Sequence, residues 1–279
     1  YIELTDVRRQ QVEWQKDATR SFSGGRVQVE HALDQYLDRG GIKGFSTREE
    51  AKEYLLKEWS EYRASNPRRT SLILAYTNRD VADLNIEARK HWKAMGGLRG
   101  AEHSVETSRM ERRFSAGDRI IFLRNENSLG VRNGSLGTIE RINQGGLTVK
   151  LDKGDRVAVD TQMYKDFDYG YAATVHKTQG ATIDRTFVLG TRHFDKHTTY
   201  VAMSRHREDV TMYYGRQDFL DAKELKQVMS REQPKALAVE YALPRGIEVD
   251  EKHIQAPARA REKALEHAER YREVKGKHM

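Results

Sequence analysis

Cysteine, proline and long apolar runs are scarce in this 279-residue chain. It contains no cysteine, only four prolines, and no apolar run that approaches the roughly 18 residues of a membrane span. Without cysteine there is no disulfide, thiolate nucleophile or thiolate-bound metal, and the composition fits a reducing compartment. We therefore expect a protein without a membrane segment. Because Tyr1 is not an initiator methionine, we also expect a piece of a longer protein.

The charge balance is basic. Lys and Arg number 49 against 42 Asp and Glu, which gives a net charge of +7 and a pI near 9.4. The length allows one large domain or two modest ones, with enough residues to bury a core. A positive excess favours a nucleic-acid partner, although an excess of this size is not specific by itself.

The apolar pattern predicts helices first and then a strand. Residues 10–64 show helical periodicity in three segments, with a Ser/Thr–Glu capping box expected at residues 46–50 before the third. The continuous apolar run at residues 72–76 ends in a polar turn, as a buried parallel strand does. Thr77 or Asn78 can cap the helix that follows.

Short β segments replace this pattern at residues 114–167. They are separated by Asn-Gly, Gly-Gly and Lys-Gly-Asp turns, whose glycines supply the positive φ angles of tight hairpins. Four or five strands in a region of this size predict a small SH3-like β-barrel, inserted into a larger α/β layer and able to fold as its own unit. Parallel strands are expected to resume at residues 171–174, 186–189 and 210–214.

Two polar clusters lie close together in the second half of the chain. The first, GYAATVHKTQGATIDRTFVLG, begins at Gly170, and the second, TTYVAMSRHRE, begins at Thr198. In an open parallel α/β sheet, the residues beyond the carboxyl ends of the strands form the ligand crevice. We therefore expect both clusters at that edge, where they would form a site for an anionic ligand.

These clusters resemble the last two signature motifs of superfamily 1 helicases of the RecD-like branch. The similarity is greatest to the helicase part of Ti-type conjugative transfer relaxases, the TraA family. Three further stretches agree in order and spacing. They are similar to the arginine motif of the second motor domain (LTDVRRQ, residues 4–10), its strand–helix segment (SLILAYTNRDVADLN, residues 71–85) and the start of the inserted barrel (GDRIIFLRNENSLGVRNGSLGTI, residues 117–139).

The resemblance implies an α/β fold with a RecA-like parallel-sheet motor domain, the second of two, and an inserted small SH3-like β-barrel. The implied domains are the first part of the motor (1–113), the insert (114–167), the second part of the motor (168–235) and a charged helical tail (236–279). It also implies a function, namely the second motor domain of an ATP-dependent DNA helicase that translocates on single strands. Such a helicase would work within a conjugative relaxase in the bacterial cytoplasm.

Particular residues take on roles through this resemblance. Arg205 would be the catalytic arginine finger and Arg9 a second nucleotide contact, because a guanidinium stays protonated and meets phosphate in bidentate fashion. Gly180 would let the backbone approach the nucleotide, while Thr182 stands where many relatives have a ribose-binding Glu. Polar side chains at two strand exits would contact the phosphates of single-stranded DNA: Thr77, Asn78, Thr174, His176 and Lys177.

Several parts of a complete motor are missing from the sequence. It has no G-x-x-x-x-G-K-[ST] phosphate loop, no apolar strand ending in Asp-Glu and no histidine triad of a nickase. We expect the intact protein to use ATP and Mg²⁺ together with upstream motor and nickase domains of the same chain. This piece alone is expected to bind no cofactor or metal and to hydrolyse no ATP.

Simpler interpretations of the same residues remain open. Arg205 could be an ordinary arginine at a helix end, His176 could satisfy buried backbone groups, and Thr77 with Asn78 could do no more than cap a helix. The chain as a whole could be a non-catalytic DNA-binding or docking module. A pure binding module has no need of paired guanidiniums at a nucleotide crevice, so Arg9 together with Arg205 favours the motor.

A metal site is a further alternative. His193, Asp195 and His197 alternate along the chain in a pattern that could place three zinc ligands on one side of a strand. Lys196 lies between two of them and would repel a cation, so we rank this hypothesis below the others.

Overall fold

The computed structural model describes residues 9–143, 145–178 and 182–232. Its helices are α1 (Glu13–Ser23), α2 (Arg26–Asp38), α3 (Arg48–Ser65), α4 (Asn78–Ala94), α5 (Lys196–Met203) and α6 (Ala222–Met229). Its strands are β1 (Ile42–Phe45), β2 (Ser71–Ala75), β3 (Arg99–Glu106), β4 (Glu111–Ala116), β5 (Arg119–Phe122), β6 (Leu136–Asn143), β7 (Gly146–Leu151), β8 (Arg156–Asp160), β9 (Phe167–Tyr169), β10 (Ala172–Thr174), β11 (Ile183–Leu189) and β12 (His206–Gly215). A 3₁₀ turn, Val175–Thr178, follows β10. Gly180 and the predicted tail at 236–279 lie outside the described residues.

Five strands form a parallel sheet in the order β1-β12-β11-β2-β10. Alternate residues of β2 enter two different cores, because successive side chains of a strand point to opposite faces. Ile73 packs with α3 and α4, whereas Leu72 packs with α1, α2, α5 and α6. The predicted parallel α/β sheet, covered on both faces, is therefore confirmed.

The helices before β2 also match the sequence prediction, and one strand among them was missed. Thr47 caps α3 by accepting a hydrogen bond from the Glu50 backbone N–H at 3.1 Å, and the Glu50 carboxylate accepts one from the Ser46 N–H at 3.0 Å. This is the expected capping box, with the carboxylate bonded to the residue before the N-cap instead of to the N-cap itself. Strand β1 is a four-residue edge strand whose two apolar residues flank Lys43 and Gly44, so its pattern was too short to detect.

The region between α4 and β10 is antiparallel. Strands β5 to β9 form a five-stranded sheet in the order β8-β7-β6-β5-β9, and β3 pairs with β4 in a separate hairpin. The predicted turn glycines Gly134, Gly145 and Gly154 all have positive φ angles, of 90°, 88° and 110°. The β3–β4 hairpin was not predicted, because its strands are mostly polar and exposed and lie largely before residue 114.

One hydrophobic core runs through both sheets. Trp59 of α3 contacts Tyr171 edge-to-face at 5.7 Å between ring centroids, Tyr171 lies 6.2 Å from Tyr169, and Tyr169 lies 5.1 Å from Phe114 of β4. These rings connect the helical layer to the inserted strands without a break. Part of the apolar surface of residues 114–167 is buried against the parallel-sheet layer. This shared core argues against the expectation that these residues fold as an independent unit, and deletion of the insert tests that expectation.

Buried polar groups join the same two regions. The fully buried Asp118, just before β5, accepts hydrogen bonds from Nε and Nη2 of Arg89 in α4 at 2.9 and 3.0 Å. It also accepts one from the Tyr171 hydroxyl at 2.5 Å. Within the insert, Arg119 forms a second bidentate pair with Asp152, at 2.5 and 2.6 Å. Removing either partner of such a pair would leave an uncompensated buried charge. The Arg89–Asp118 pair joins the insert to α4, whereas the Arg119–Asp152 pair stabilises the insert itself.

In the described part of the chain, none of the helices is both long enough and apolar enough to cross a membrane.

Candidate anion and nucleic-acid sites

The polar residues of the two clusters are divided between opposite edges of the parallel sheet. Arg205 directly precedes β12 and Thr182 directly precedes β11, so both lie at the amino-terminal edge. Thr77 and His176 follow β2 and β10 and lie at the carboxyl-terminal edge. The two edges are separated by the seven residues of β11, roughly 20 Å. The expectation that both clusters share the carboxyl edge is wrong, because α5 carries the chain back across the sheet before Arg205.

Gln10 holds the arginine cluster together. Its side-chain amide donates to the backbone carbonyls of Ser204 at 3.2 Å and His206 at 2.8 Å, on either side of Arg205. These bonds join the segment before α1 to the segment after α5. They bring Arg9 close enough to Arg205 for its positive charge to lower the pKa of the Arg205 guanidinium.

The two guanidiniums lack acidic partners. Arg205 is 8% exposed, and its Nε has no hydrogen-bond partner. Burial lowers the pKa of Arg205 and the charge of Arg9 lowers it further, whereas Tyr200 opposes this shift. Arg9 donates from Nε to the Thr182 hydroxyl at 3.2 Å. Neither guanidinium forms an ion pair with a carboxylate among the described residues, so an anion such as phosphate would compensate both charges.

The imidazole next to this pair is neutral at physiological pH. His206 is completely buried, and its ring faces the Met203 backbone carbonyl. Burial lowers the pKa of His206 to about 3, and the Met203 backbone carbonyl only partly opposes this effect. The residue after Arg205 therefore adds no third positive charge to the cluster.

At the opposite edge, the residues after β2 have different accessibilities. The Thr77 hydroxyl accepts a hydrogen bond from the Asp80 N–H at 3.0 Å and donates to the Asp80 carboxylate at 2.6 Å, so it caps α4 as expected. Asn78 is the exposed first residue of α4. Thr174, at the end of the neighbouring β10, is 7% exposed, which leaves its hydroxyl the least accessible of these groups.

The 3₁₀ turn after β10 presents an exposed imidazole and a half-buried ammonium. Burial lowers the pKa of Lys177, the charge of Arg109 lowers it further, and Asp168 opposes both effects. Arg109 belongs to the β3–β4 turn, so the hairpin brings positive charge to this segment. The insert also touches the segment directly, because a Cβ atom at Gly134 would lie 2.7 Å from the Lys177 carbonyl oxygen.

The residues of the alternative zinc site make other contacts in the structure. The Asp195 carboxylate caps α5 by accepting a hydrogen bond from the Thr198 N–H at 2.7 Å. The His193 ring stacks on Tyr76 with a centroid distance of 5.3 Å and an interplanar angle of 15°. Across the described ranges no three His, Asp or Glu side chains are grouped to hold a metal ion. The zinc hypothesis is therefore wrong.

Sequence reasoning missed several residues near these sites. Gln10 was missed because its partners lie 194 and 196 residues away along the chain. Arg109 lies in a turn that no predicted element includes. Tyr76 could have been found, because an aromatic residue directly before the Thr77-Asn78 pair is placed at the same strand exit.

The comparisons with known proteins first define a class. A family model described as the viral superfamily 1 RNA helicase core domain matches residues 124–214. The fold is similar to a crystal structure of the Pif1 helicase from Bacteroides in complex with ADP-AlF3 and ssDNA, with a TM-score of 0.51 and 18% sequence identity. That similarity covers 88% of this chain and 57% of the other. The chain therefore shares the RecA-like parallel-sheet α/β fold of that helicase structure.

A narrower relationship follows from the sequence comparison. The chain is 40% identical over 245 residues to the conjugal transfer protein TraA of Rhizobium radiobacter and 41% identical over 244 residues to that of Agrobacterium fabrum. Each similarity covers 86% of this chain and 22% of the relative, so the chain spans about a fifth of the length of these proteins. The predicted resemblance is confirmed: the chain is a relative of TraA conjugal transfer proteins with a superfamily 1 helicase core.

Proposed function

We propose that this chain is the second motor domain of an ATP-dependent, single-strand-translocating DNA helicase within a conjugative relaxase. The observation that carries the proposal is the arrangement of Arg9 and Arg205, two neighbouring guanidiniums without carboxylate partners among the described residues. Keeping like charges close together costs free energy, and an anionic ligand between them would offset that cost. The similarity to TraA proteins supports a role in plasmid DNA transfer.

The amino-terminal edge would act on the nucleotide. In phosphoryl transfer, negative charge spreads over the equatorial oxygens of the γ-phosphoryl group, and an arginine delivered from a neighbouring domain stabilises it. Arg205 would take this role, with Arg9 as a second phosphate contact oriented by Thr182. ATP and Mg²⁺ would be bound with the preceding motor domain, where Mg²⁺ would neutralise the developing charge. We propose that the nucleotide would lie close to the backbone at Gly180, which has no Cβ.

The carboxyl-terminal edge would act as part of a track for single-stranded DNA. Asn78, His176 and Lys177 are the accessible polar groups there, while Thr77 and Thr174 would contribute less because of their cap and their burial. A track that contacts phosphates carries no sequence preference, which suits a protein that slides. Because the nucleotide and the DNA would bind at different edges of the sheet, a movement of this domain on ATP hydrolysis would also move the bound DNA strand.

The inserted strands would guide the DNA. We propose that residues 114–167 form an SH3-like barrel and that the domain boundaries follow the resemblance, with motor segments at 1–113 and 168–235. Lys177 lies beside Arg109 of the β3–β4 hairpin, which would extend the positive surface beyond the parallel sheet. Upstream motor and nickase domains of the same polypeptide would be the intramolecular partners.

ATP hydrolysis tests this proposal. The 279-residue chain alone should hydrolyse no ATP, because it lacks a phosphate loop. In a longer TraA-type protein that includes the preceding motor domain, Arg205→Ala should lower kcat by about 10³-fold or more. The matched control is Arg207→Ala, since Arg207 is an exposed neighbour that lies 3.5 Å from Asp184. Unchanged turnover in the Arg205 variant, with the fold verified by thermal unfolding, would refute the assigned role.

The same experiment addresses the alternative function. A non-catalytic docking module would bind DNA but show no ATPase activity even when the preceding domain is present. In that case there would be no turnover for Arg205→Ala to lower, and the paired arginines would be a structural or DNA-binding feature.

A further inference from the structure

We infer that the rings of Tyr76, His193 and His176 form a stacking platform for a nucleobase at the carboxyl-terminal edge of the parallel sheet. The inference rests on the proposed single-strand track, and it adds a base contact to a track otherwise made of phosphate contacts. None of the sequence motifs described above assigns such a role to Tyr76 or His193.

The order of the strands places the three rings side by side. Strands β11, β2 and β10 are neighbours in the sheet, and all three end at the same edge. His193 lies four residues after β11, Tyr76 directly after β2 and His176 two residues after β10. The Tyr76 ring is therefore the central one. It stacks on His193 at 5.3 Å and 15° and meets the edge of His176 at 5.6 Å and 76°.

A buried aromatic residue and a helix cap fix the position of the platform. Phe194 is fully buried, and its ring centroid lies 6.2 Å from that of Tyr76. Its backbone N–H donates to the Thr191 carbonyl at 3.0 Å, and the next residue, Asp195, caps α5. His193 is thus an exposed ring directly before a buried anchor, Phe194, and the start of α5. Its orientation is set before any ligand arrives, which reduces the entropy lost on binding.

The open surface has the chemistry of a base-binding site. His193 and His176 are exposed and Tyr76 is half-buried. Within the described residues, no second ring stacks on His193, so its face opposite Tyr76 can receive another planar ring. A nucleobase stacks well on aromatic rings whatever its sequence identity.

Phosphate contacts lie at the right places for such a ligand. Asn78 follows Tyr76 by two residues and Lys177 follows His176 directly, so two of the three platform strands, β2 and β10, also supply a polar or cationic group at the same edge. A nucleotide needs a flat face for its base and a positive or hydrogen-bonding group for its phosphate. Both kinds of group lie at this edge, so the ligand that fits it is single-stranded nucleic acid.

Binding to oligonucleotides with and without bases tests the inference. Fluorescence anisotropy would measure the affinity of the 279-residue chain for labelled (dT)12 and for an abasic deoxyribose-phosphate chain of equal length, at low salt. His193→Ala should weaken (dT)12 binding about tenfold and leave the abasic chain within twofold. His193→Phe should restore the affinity for (dT)12. His197→Ala is the matched control, because His197 is an exposed histidine four residues away that lies outside the stack.

The outcomes separate the platform from the track. If the unchanged chain binds both oligonucleotides equally, or if His193→Ala has no effect or weakens both equally, the stacking platform is overturned while the phosphate track stands. If the unchanged chain binds neither, the proposed track fails and the platform fails with it. Preference for (dT)12 that His193→Ala removes and His193→Phe restores would support the platform.

Discussion

The buried imidazole of His206 should make the stability of the fold depend on pH. Its pKa is about 3 in the folded chain, against an ordinary value of 6.5. Well above pH 6.5 the imidazole is neutral in both the folded and the unfolded chain, so it does not make the free energy of unfolding depend on pH. As the pH falls from 6.5 towards 3, the unfolded chain binds a proton that the folded chain does not, so the free energy of unfolding decreases. At pH 5 this loss amounts to about 2 kcal/mol.

Replacing His206 with leucine isolates this effect. Leucine is similar in size and apolar, and it removes the buried ring whose protonation burial opposes. Between pH 7 and pH 5, the free energy of unfolding should decrease by about 2 kcal/mol less in His206→Leu than in the unchanged chain. Urea unfolding followed by circular dichroism at both pH values gives the two differences. The raised pKa of Asp209, caused by burial, affects both chains alike and cancels.

The exposed His197 provides the control for this measurement. His197→Leu should show the same pH-dependent loss as the unchanged chain, because it replaces an exposed histidine and leaves the buried His206 in place. If His206→Leu loses as much stability as the unchanged chain, the His206 ring must take up a proton within the fold. The conclusion that the imidazole next to the arginine cluster is neutral would then be wrong.

Three further predictions concern the insert and the DNA track. Asp118→Asn removes the buried charge that pairs with Arg89 and should lower the free energy of unfolding in urea by about 3 kcal/mol. Asp155→Asn, at an exposed ion pair, should lower it by less than about 1 kcal/mol. Equal losses would contradict the stabilising role of the buried Arg89–Asp118 pair. Lys177→Ala should weaken binding of all single-stranded sequences alike and reduce the slope of log affinity against log salt by about 0.7. Loss for one sequence only would indicate base readout by this lysine. Replacing residues 114–167 with a short Gly-Ser linker should expose the shared core and lower the unfolding temperature sharply, and a deletion that unfolds at the original temperature would show that the insert is independent after all.

The sequence was informative where a pattern is local. The apolar run of β2 and the Thr47–Glu50 capping box were visible because each depends on residues within one element. The β3–β4 hairpin was missed because its strands are exposed and polar, so burial gave them no period-two pattern. β1 was missed because it is a four-residue edge strand.

The placement of the site residues was less accessible to sequence reasoning. The motifs around His176 and Arg205 lie close together in sequence, yet they belong to opposite edges of the sheet because α5 reverses the chain direction between them. The pairing of Arg9 with Arg205 depends on Gln10, whose hydrogen bonds span almost the whole described chain. Contacts of that kind follow from the tertiary fold and leave no periodic signal.

The close approach of Gly134 to Lys177 has a mechanical consequence. Because Gly134 has no Cβ, its backbone can lie against the Lys177 carbonyl, whereas the Cβ of any other residue would lie 2.7 Å from that oxygen. Its φ angle of 90° is also one that residues with side chains rarely adopt. A side chain at position 134 would therefore push the β5–β6 loop and the 3₁₀ turn apart, so one loop position outside the parallel sheet limits where Lys177 can lie.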